Sequence, residues 1–238
     1  MAVAVVTGGS RGIGAATARR LAADGWDVAV GFRAAEDEAA AVVADVEAGG
    51  RRAVARRADV TDPAGVAALF DAAEGLGPVG AVVSNAGVVS PPGRVEGYDA
   101  DRVRAVLEVN VVGAFVVAGE AVRRMRAAGG VLVNVSSRAA VLGAAGEYVD
   151  YAASKAAVDA LTVGLAQEVA THGIRVVGVR PGLIATEIHA PGRLERLGAT
   201  PPLGRPGAAE EVAEAIAWLA SDRASYVTGA TLDIGGGR

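Results

Sequence analysis

The sequence predicts an α/β fold with a mostly parallel sheet, and two observations carry that prediction. Short β-branched runs alternate with helical stretches along the whole chain, the order expected of strands joined by crossover helices. The first such run leads into a glycine cluster and then a helix, a context in which clustered glycines suggest a phosphate site. At 238 residues without internal repeat or linker, the chain fits one domain, residues 1–238.

Composition narrows the function. Apolar residues make up 52% and aromatic ones 4%, so a large core packs mainly from Val, Ala and Leu. Cysteine is absent, which excludes disulfides, thiol nucleophiles and Cys-metal sites and suits an intracellular, cytoplasmic protein. The two histidines, His172 and His189, are too far apart in sequence to suggest a metal site. A net charge of −4 gives no basic patch for nucleic acid. Met1–Val6 is too short for a signal sequence. No apolar run of about 18 residues is evident, so no membrane span is expected.

In order, Ala2–Val6 reads as a buried strand. Thr7-Gly8-Gly9-Ser10-Arg11-Gly12-Ile13-Gly14 is a glycine turn, and Ala15–Ala23 a helix stopped by Asp24-Gly25. Backbone N–H groups at such a helix start can hold a pyrophosphate. Trp26–Phe32 is the second strand. In dinucleotide folds an acidic residue near its end takes the ribose 2′-OH, whereas an Arg takes a 2′-phosphate. Here Phe32 is followed by Arg33, and Arg11 lies in the glycine turn. Both favour NADP(H) over NAD(H), although Glu36 is close by.

Ala34–Ala48 is an amphipathic helix and Arg51–Ala58 a strand. In Asp59-Val60-Thr61-Asp62-Pro63, Asp62 is a helix N-cap with Pro63 at the first helical position. Asp59 either faces an adenine or closes the turn. Ala81–Gly87 is a strand ending in the small polar turn Asn85-Ala86-Gly87, at the edge where open sheets bind ligands. Tyr98–Ala128 reads as one long helix, and its stretch Val109–Ala118, apolar except at Asn110, is expected to be buried on two sides, by the chain's own core and by a partner subunit. Gly113 leaves room there for a bend or a water. Val131–Val135 is a strand ending in Ser136-Ser137. Tyr151–Thr171 is a helix closed by His172-Gly173, with His172 favourable at its C-terminus. Ile174–Val179 is a strand. Pro181-Gly182 opens a Gly- and Pro-rich stretch running to Gly207. Ala208–Ala220 is a helix and Thr228–Ile234 the last strand.

The strongest chemical signal is Tyr151-Ala-Ala-Ser-Lys155. The two side chains lie one helical turn apart, and an ammonium beside a phenol lowers its pKa toward the range of a general acid or base. Lys155 is the only lysine among 23 basic residues. A chain that otherwise uses arginine keeps lysine where a compact ammonium is needed. Tyr148 has Ala152 at the corresponding spacing.

Thr7-Gly8-x-x-x-Gly12-x-Gly14, Asn85-Ala86-Gly87, Asn110, Ser137, Tyr151-x-x-x-Lys155 and Pro181-Gly182, in this order, resemble the classical short-chain dehydrogenase/reductases over the whole chain. Ser84 stands where the family usually has a first Asn, and the interval from Ser137 to Tyr151 is slightly long, which leaves Ser136 as an alternative to Ser137. The resemblance implies a doubly wound Rossmann-type domain of about seven strands with helices on both faces. It implies transfer of a hydride between a nicotinamide and a carbonyl or secondary alcohol, with oxoacyl-carrier-protein reductase and sugar dehydrogenase types both open. Tyr151 would act as general acid/base and Ser137 would hold the carbonyl. Lys155 would tune Tyr151 and bind the ribose, and Asn110 would order a relay water. The cofactor contacts would come from Gly8, Ser10, Arg11, Gly12, Ile13, Gly14, Arg33, Asp59, Val60, Asn85, Ala86, Gly87, Tyr151, Lys155, Pro181, Gly182, Ile184 and Thr186. The last two would meet the carboxamide. Residues 183–206 would form a substrate lid, with His189, Arg193 and Arg196 on its solvated surface or facing substrate. A homotetramer or homodimer is implied. The rival reading is a catalytically idle dinucleotide-binding sensor or scaffold.

Overall fold

A computed structural model describes residues 2–189 and 191–238. The strands are β1 (Val3–Thr7), β2 (Asp27–Phe32), β3 (Ala53–Arg57), β4 (Val79–Ser84), β5 (Gly130–Val135), β6 (Ile174–Pro181) and β7 (Thr231–Ile234). All seven pair in parallel, in the order β3-β2-β1-β4-β5-β6-β7. The expected doubly wound sheet is therefore present and wholly parallel. The chain winds outward from β1 through β3, then returns to β4 beside β1 and winds the other way. Loops leaving β1 and β4 diverge at that reversal and open a crevice at the carboxyl ends of the strands.

Helices α1 (Gly12–Ala23), α2 (Glu36–Ala48) and α9 (Ala209–Ala220) cover one face, where Leu21, Val42 and Ile216 meet Ala4 and Val6. Helices α3 (Pro63–Glu74), α5 (Gly113–Met125) and α7 (Val149–Val169) cover the other, where Phe70, Val117 and Leu161 meet Val3 and Val5. Period-2 alternation sends neighbouring β1 residues to opposite layers. Burial on both sides explains why its run is continuously apolar. Asp62 caps α3 by accepting from the Ala64 and Gly65 amides.

The long helix predicted over Tyr98–Ala128 is instead three pieces. Helix α4 (Ala100–Leu107), capped by Asp99, runs into a π-helical turn, Glu108–Val112, and then α5. A π-turn adds a residue without breaking the rod, so apolar spacing does not reveal it. Gly113 leaves no room for water, because a Cβ there would come 2.6 Å from Val60 Cγ2. The chain's own core buries Ala114, Val117 and Ala118 of this stretch and leaves Val112 and Phe115 exposed, the side left to the expected partner subunit. Ala100–Met125 is long and apolar enough on average to cross a membrane, by length and composition, but it holds no unbroken run of about 18 apolar residues, and its Val106, Val117, Ala121 and Met125 are buried in the protein core. Two short helices, α6 (Ala139–Leu142) and α8 (Arg193–Leu197), are too brief for periodicity to predict.

Candidate active site

The crevice beside β1 and β4 holds a cavity of about 320 Å³. Gly8, Ser10, Arg11, Gly12, Ile13, Arg33, Val60, Asn85, Ala86, Gly87 and Thr186 line it, as the cofactor reading requires. Gly8 and Gly12 have φ of +61° and +52°, a backbone that side chains rarely adopt. Arg11 begins α1 without a side-chain cap, which leaves first-turn N–H groups and the positive helix end for an anion. Arg33 and Arg11 line the same cavity.

Several expected contacts have other duties. Asn85 Nδ2 donates to the Thr7 and Gly8 carbonyls at 3.0 Å, while the Thr7 hydroxyl accepts from the Asn85 and Ala86 amides. These bonds lock the two loops together. Gly14 lies behind the cavity, where a Cβ would meet the Gly8 carbonyl at 2.2 Å. Asp59 closes its own turn by accepting from Thr61 N and Oγ1, and those bonds hold its carboxyl below the usual range. The neighbours that line the cavity are Ala58 and Val60. The Gly182 amide donates to Ile234, with Pro181 buried beside it at the end of β6. Ile184 packs in the core, and its carbonyl meets His189 Nε2 at 2.8 Å. Phe32, Ala34, Ala35, Val88, Val109, Glu187 and Ile188 also line the cavity. Nothing in their residue types marked them.

At the inner end, Gly87 brings three elements together. A Cβ on it would lie 3.2 Å from Asn110 Oδ1 and 3.3 Å from Lys155 Nζ. Asn110 is buried in the π-turn. Its Oδ1 accepts from Val88 N, and its Nδ2 donates to Val88 O and to Ser154 Oγ. Its amide thus fastens the loop after β4 to α7. Ser154, which the sequence reading missed, also donates to the Tyr151 carbonyl.

The two serines that follow β5 have different partners. Ser136 is buried and donates to the Lys155 carbonyl at 3.0 Å. Ser137 stands close enough to the Tyr151 phenol to favour its ionised form. Lys155 is buried, and its Nζ donates to the Val135 carbonyl at 2.8 Å and sits 5.7 Å from the Tyr151 ring centroid. Burial pushes the Lys155 ammonium down to about 8, against an opposing pull from Asp159. Burial pushes the Tyr151 phenol up; Ser137 and the charge of Arg193 oppose it without prevailing. The expectation that Lys155 makes this phenol acidic is therefore corrected for the protein alone. Desolvation of the phenolate outweighs its neighbours.

From the stretch after β6, Thr186, Glu187 and Ile188 line the cavity, and Arg193 and Arg196 reach the loop before α7. Arg193 donates to Glu147 Oε2 at 2.7 Å and meets His189 Nδ1 at 3.1 Å, and Arg196 donates to Glu147 Oε1 at 2.8 Å. Burial works against the Glu147 carboxylate, yet bonds from Arg196 and Arg193 hold its pKa below the usual range. The Arg193 guanidinium also covers the Tyr148 ring, which is edge-on to Tyr151 with centroids 6.5 Å apart. Arg193 and His189 are thus not simply solvated surface: they belong to a latch onto the loop before α7, with Arg196 at its exposed rim. A contact between residues 46 apart leaves no local sequence signal.

A doubly wound sheet with a glycine-turn crevice, and a Ser/Tyr/Lys cluster at its inner end, defines a dinucleotide-type α/β oxidoreductase scaffold. The short chain dehydrogenase family model matches residues 2–196, and the chain belongs to that family. It is 49% identical to the uncharacterized oxidoreductase YgfF of Escherichia coli, over all of both chains. It is 44% identical to cis-4-hydroxycyclohexanecarboxylate dehydrogenase of Sinomonas cyclohexanicum, covering 99% of this chain and 95% of the relative. A 3-oxoacyl-[acyl-carrier-protein] reductase of Synechocystis is 36% identical over 99% and 96%. Among solved structures, a short chain dehydrogenase from Burkholderia cenocepacia in complex with NADP superposes with a TM-score of 0.93, at 37% identity, covering 99% of this chain and 97% of that one. A blue fluorescent protein from a metagenomic library, in complex with NADPH, gives 0.92 at 40% identity over the same shares.

Proposed function

We propose that the protein is an NADP(H)-dependent reductase or dehydrogenase of a small-molecule carbonyl/alcohol pair, with Tyr151 as general acid/base. The observation that carries this reading is the convergence of Ser137, Tyr151 and Lys155 at the inner end of a crevice walled by Gly8, Gly12 and Gly87. The cradle fits a dinucleotide, because Gly8 and Gly12 turn back on themselves at the free N-terminus of α1 and Gly87 keeps the floor open before Lys155. Ser10, Arg11, Ile13 and Val60 are the surrounding contacts, and Arg11 and Arg33 are the groups for a 2′-phosphate. When bound, the nicotinamide supplies or takes up the hydride.

The chain's own residues do the rest. Ser137 donates to the substrate oxygen and stabilises the charge that develops there. Tyr151, with its phenol raised by burial, is protonated at neutral pH. It is therefore ready to give its proton to that oxygen during reduction. Lys155 offers the ribose hydroxyls the donors left after its bond to Val135. Asn110 donates both Nδ2 protons, to Val88 O and Ser154 Oγ, and accepts from Val88 N at Oδ1, and so holds α7 and the loop after β4 in register. The acceptor site left on its Oδ1 would order the water that relays protons to Lys155. Residues 183–206 act as the substrate lid, latched through Glu147. Exposed Val112 and Phe115 on the α4/α5 rod, and exposed Trp218, Tyr226 and Leu232 near β7, are the faces on which copies would associate as a homotetramer. The setting is cytoplasmic.

The test is NADPH oxidation followed by absorbance over a panel of ketones, quinones and acyl thioesters, and NADP⁺ reduction over a panel of cyclic hydroxy acids. Tyr151→Phe is expected to lose about 10²-fold or more of turnover with NADPH binding intact. The absence of turnover across the panel, with NADPH bound, would favour an idle sensor.

A further inference from the structure

Lys155 is one helical turn before Asp159 on α7, within about 6 Å between Cβ atoms. Asp159 Oδ2 accepts from Arg180 Nε of β6 at 2.8 Å. Its Oδ1 is buried and accepts no hydrogen bond. Arg180 is itself shared with Asp233 of β7, at 3.3 Å. Asp233 also receives Arg138, the residue after Ser137, whose Nε donates to the Arg238 carbonyl. Two carboxylates and two guanidiniums thus alternate behind the catalytic cluster, and their charges cancel. Among the described residues, Lys155 also has beside it Tyr151, one turn earlier on α7, the Val135 carbonyl, the Ser136 hydroxyl on its own carbonyl, Gly87 and neutral Asn110. Asp159 is the anion these elements bring to Lys155.

We propose that Asp159 is a positioning residue for the reaction: anchored by Arg180, its carboxylate keeps the buried Lys155 amine in the charged form. An amine taken out of water sheds its proton unless an anion compensates. The Asp159–Arg180 bond fixes where that anion stands. Arg180 in turn attenuates it, and Asp233 draws part of Arg180's charge away toward the surface. Burial as the dominant influence on Lys155, opposed by Asp159, agrees with this geometry. The catalytic meaning of the inference rests on the function proposed above; the electrostatic claim does not.

The sole lysine of the chain makes the test direct. Protein grown with lysine carrying ¹³C at Cε gives one side-chain resonance, whose titration reports Lys155 alone. In Asp159→Asn the midpoint falls by about one pH unit, from about 8 in the unmodified protein, and Asp159→Glu restores it. Arg180→Gln moves it the other way, because Asp159 then faces Lys155 without a competing cation. This second variant decides the matter if the first fails to fold. An unmoved midpoint in Asp159→Asn, or a lower one in Arg180→Gln, overturns the proposal. The kinetic arm separates it from the function. If charged Lys155 is needed, kcat declines at a pH about one unit lower in Asp159→Asn. A shifted resonance with an unshifted kcat profile keeps the electrostatic coupling of Asp159 to Lys155 and overturns the part of both in the reaction.

Discussion

The buried ammonium of Lys155 should cost the protein stability, and the cost can be worked out. Its pKa drops from 10.5 to about 8 on folding. At about 1.4 kcal/mol per pH unit, the charged form is disfavoured in the native state by about 3 kcal/mol. The sign follows from proton counts. Above pH 10.5 both states are neutral and there is no penalty. Between 10.5 and about 8 the unfolded chain holds a proton that the folded one lacks, so stability falls as pH falls. Below 8 the penalty is complete. Lys155→Met removes the charge and keeps a flexible side chain of similar length. It also strands the Val135 carbonyl, at about 1 kcal/mol. The variant should therefore be more stable than the unmodified protein by about 2 kcal/mol at pH 7, from urea unfolding with an unchanged m value. That difference should shrink as pH rises from 8 to 10.5. A variant less stable at pH 7, or a difference indifferent to pH, would refute the reasoning. The expected gain comes with lost turnover, which would explain why a chain otherwise reliant on arginine keeps one lysine in its interior.

Two further outcomes are expected. Arg33→Asp should raise the Kd for NADPH and lower that for NADH, measured by fluorescence titration; an unchanged preference would move the 2′-phosphate contact to Arg11, which lines the same cavity. Glu147→Ala removes the shared acceptor of Arg193 and Arg196, so KM for substrate should rise about tenfold as lid closure loses roughly 1.4 kcal/mol, with NADPH affinity unchanged and proteolysis in 190–206 faster. An unchanged KM would mean that the latch does not govern substrate access.

Much of this was legible in the residues, for identifiable reasons. Buried parallel strands are continuous β-branched runs, so β1, β2, β5 and β6 stood out, and Asp62-Pro63 announced its helix. Lys155 was marked by composition and Tyr151 by spacing. What failed to show depends on long-range packing. The π-turn at Glu108–Val112 keeps the apolar character of its neighbours. The role of Asn85 as a lock between loops needs Thr7 and Gly8 brought against it by sheet pairing. The latch joins residues 46 apart, and α8, which carries Arg193 and Arg196, has only five residues. Sequence spacing also placed Lys155 near Tyr151 without revealing that burial, rather than the amine, dominates the phenol. Desolvation is a property of the surroundings, and two residues on one helix cannot display it.

The proposed chemistry requires the phenol of residue 151 to lie where hydride leaves or arrives. A crystal structure with NADP⁺ bound would measure this directly. The expected result is nicotinamide C4 within about 5 Å of the Tyr151 oxygen, with the adjoining ribose hydroxyls on Lys155 Nζ at hydrogen-bond distance, about 3 Å. A nicotinamide ring turned out of the crevice, or separated from Tyr151 by the loop after β4, would contradict it.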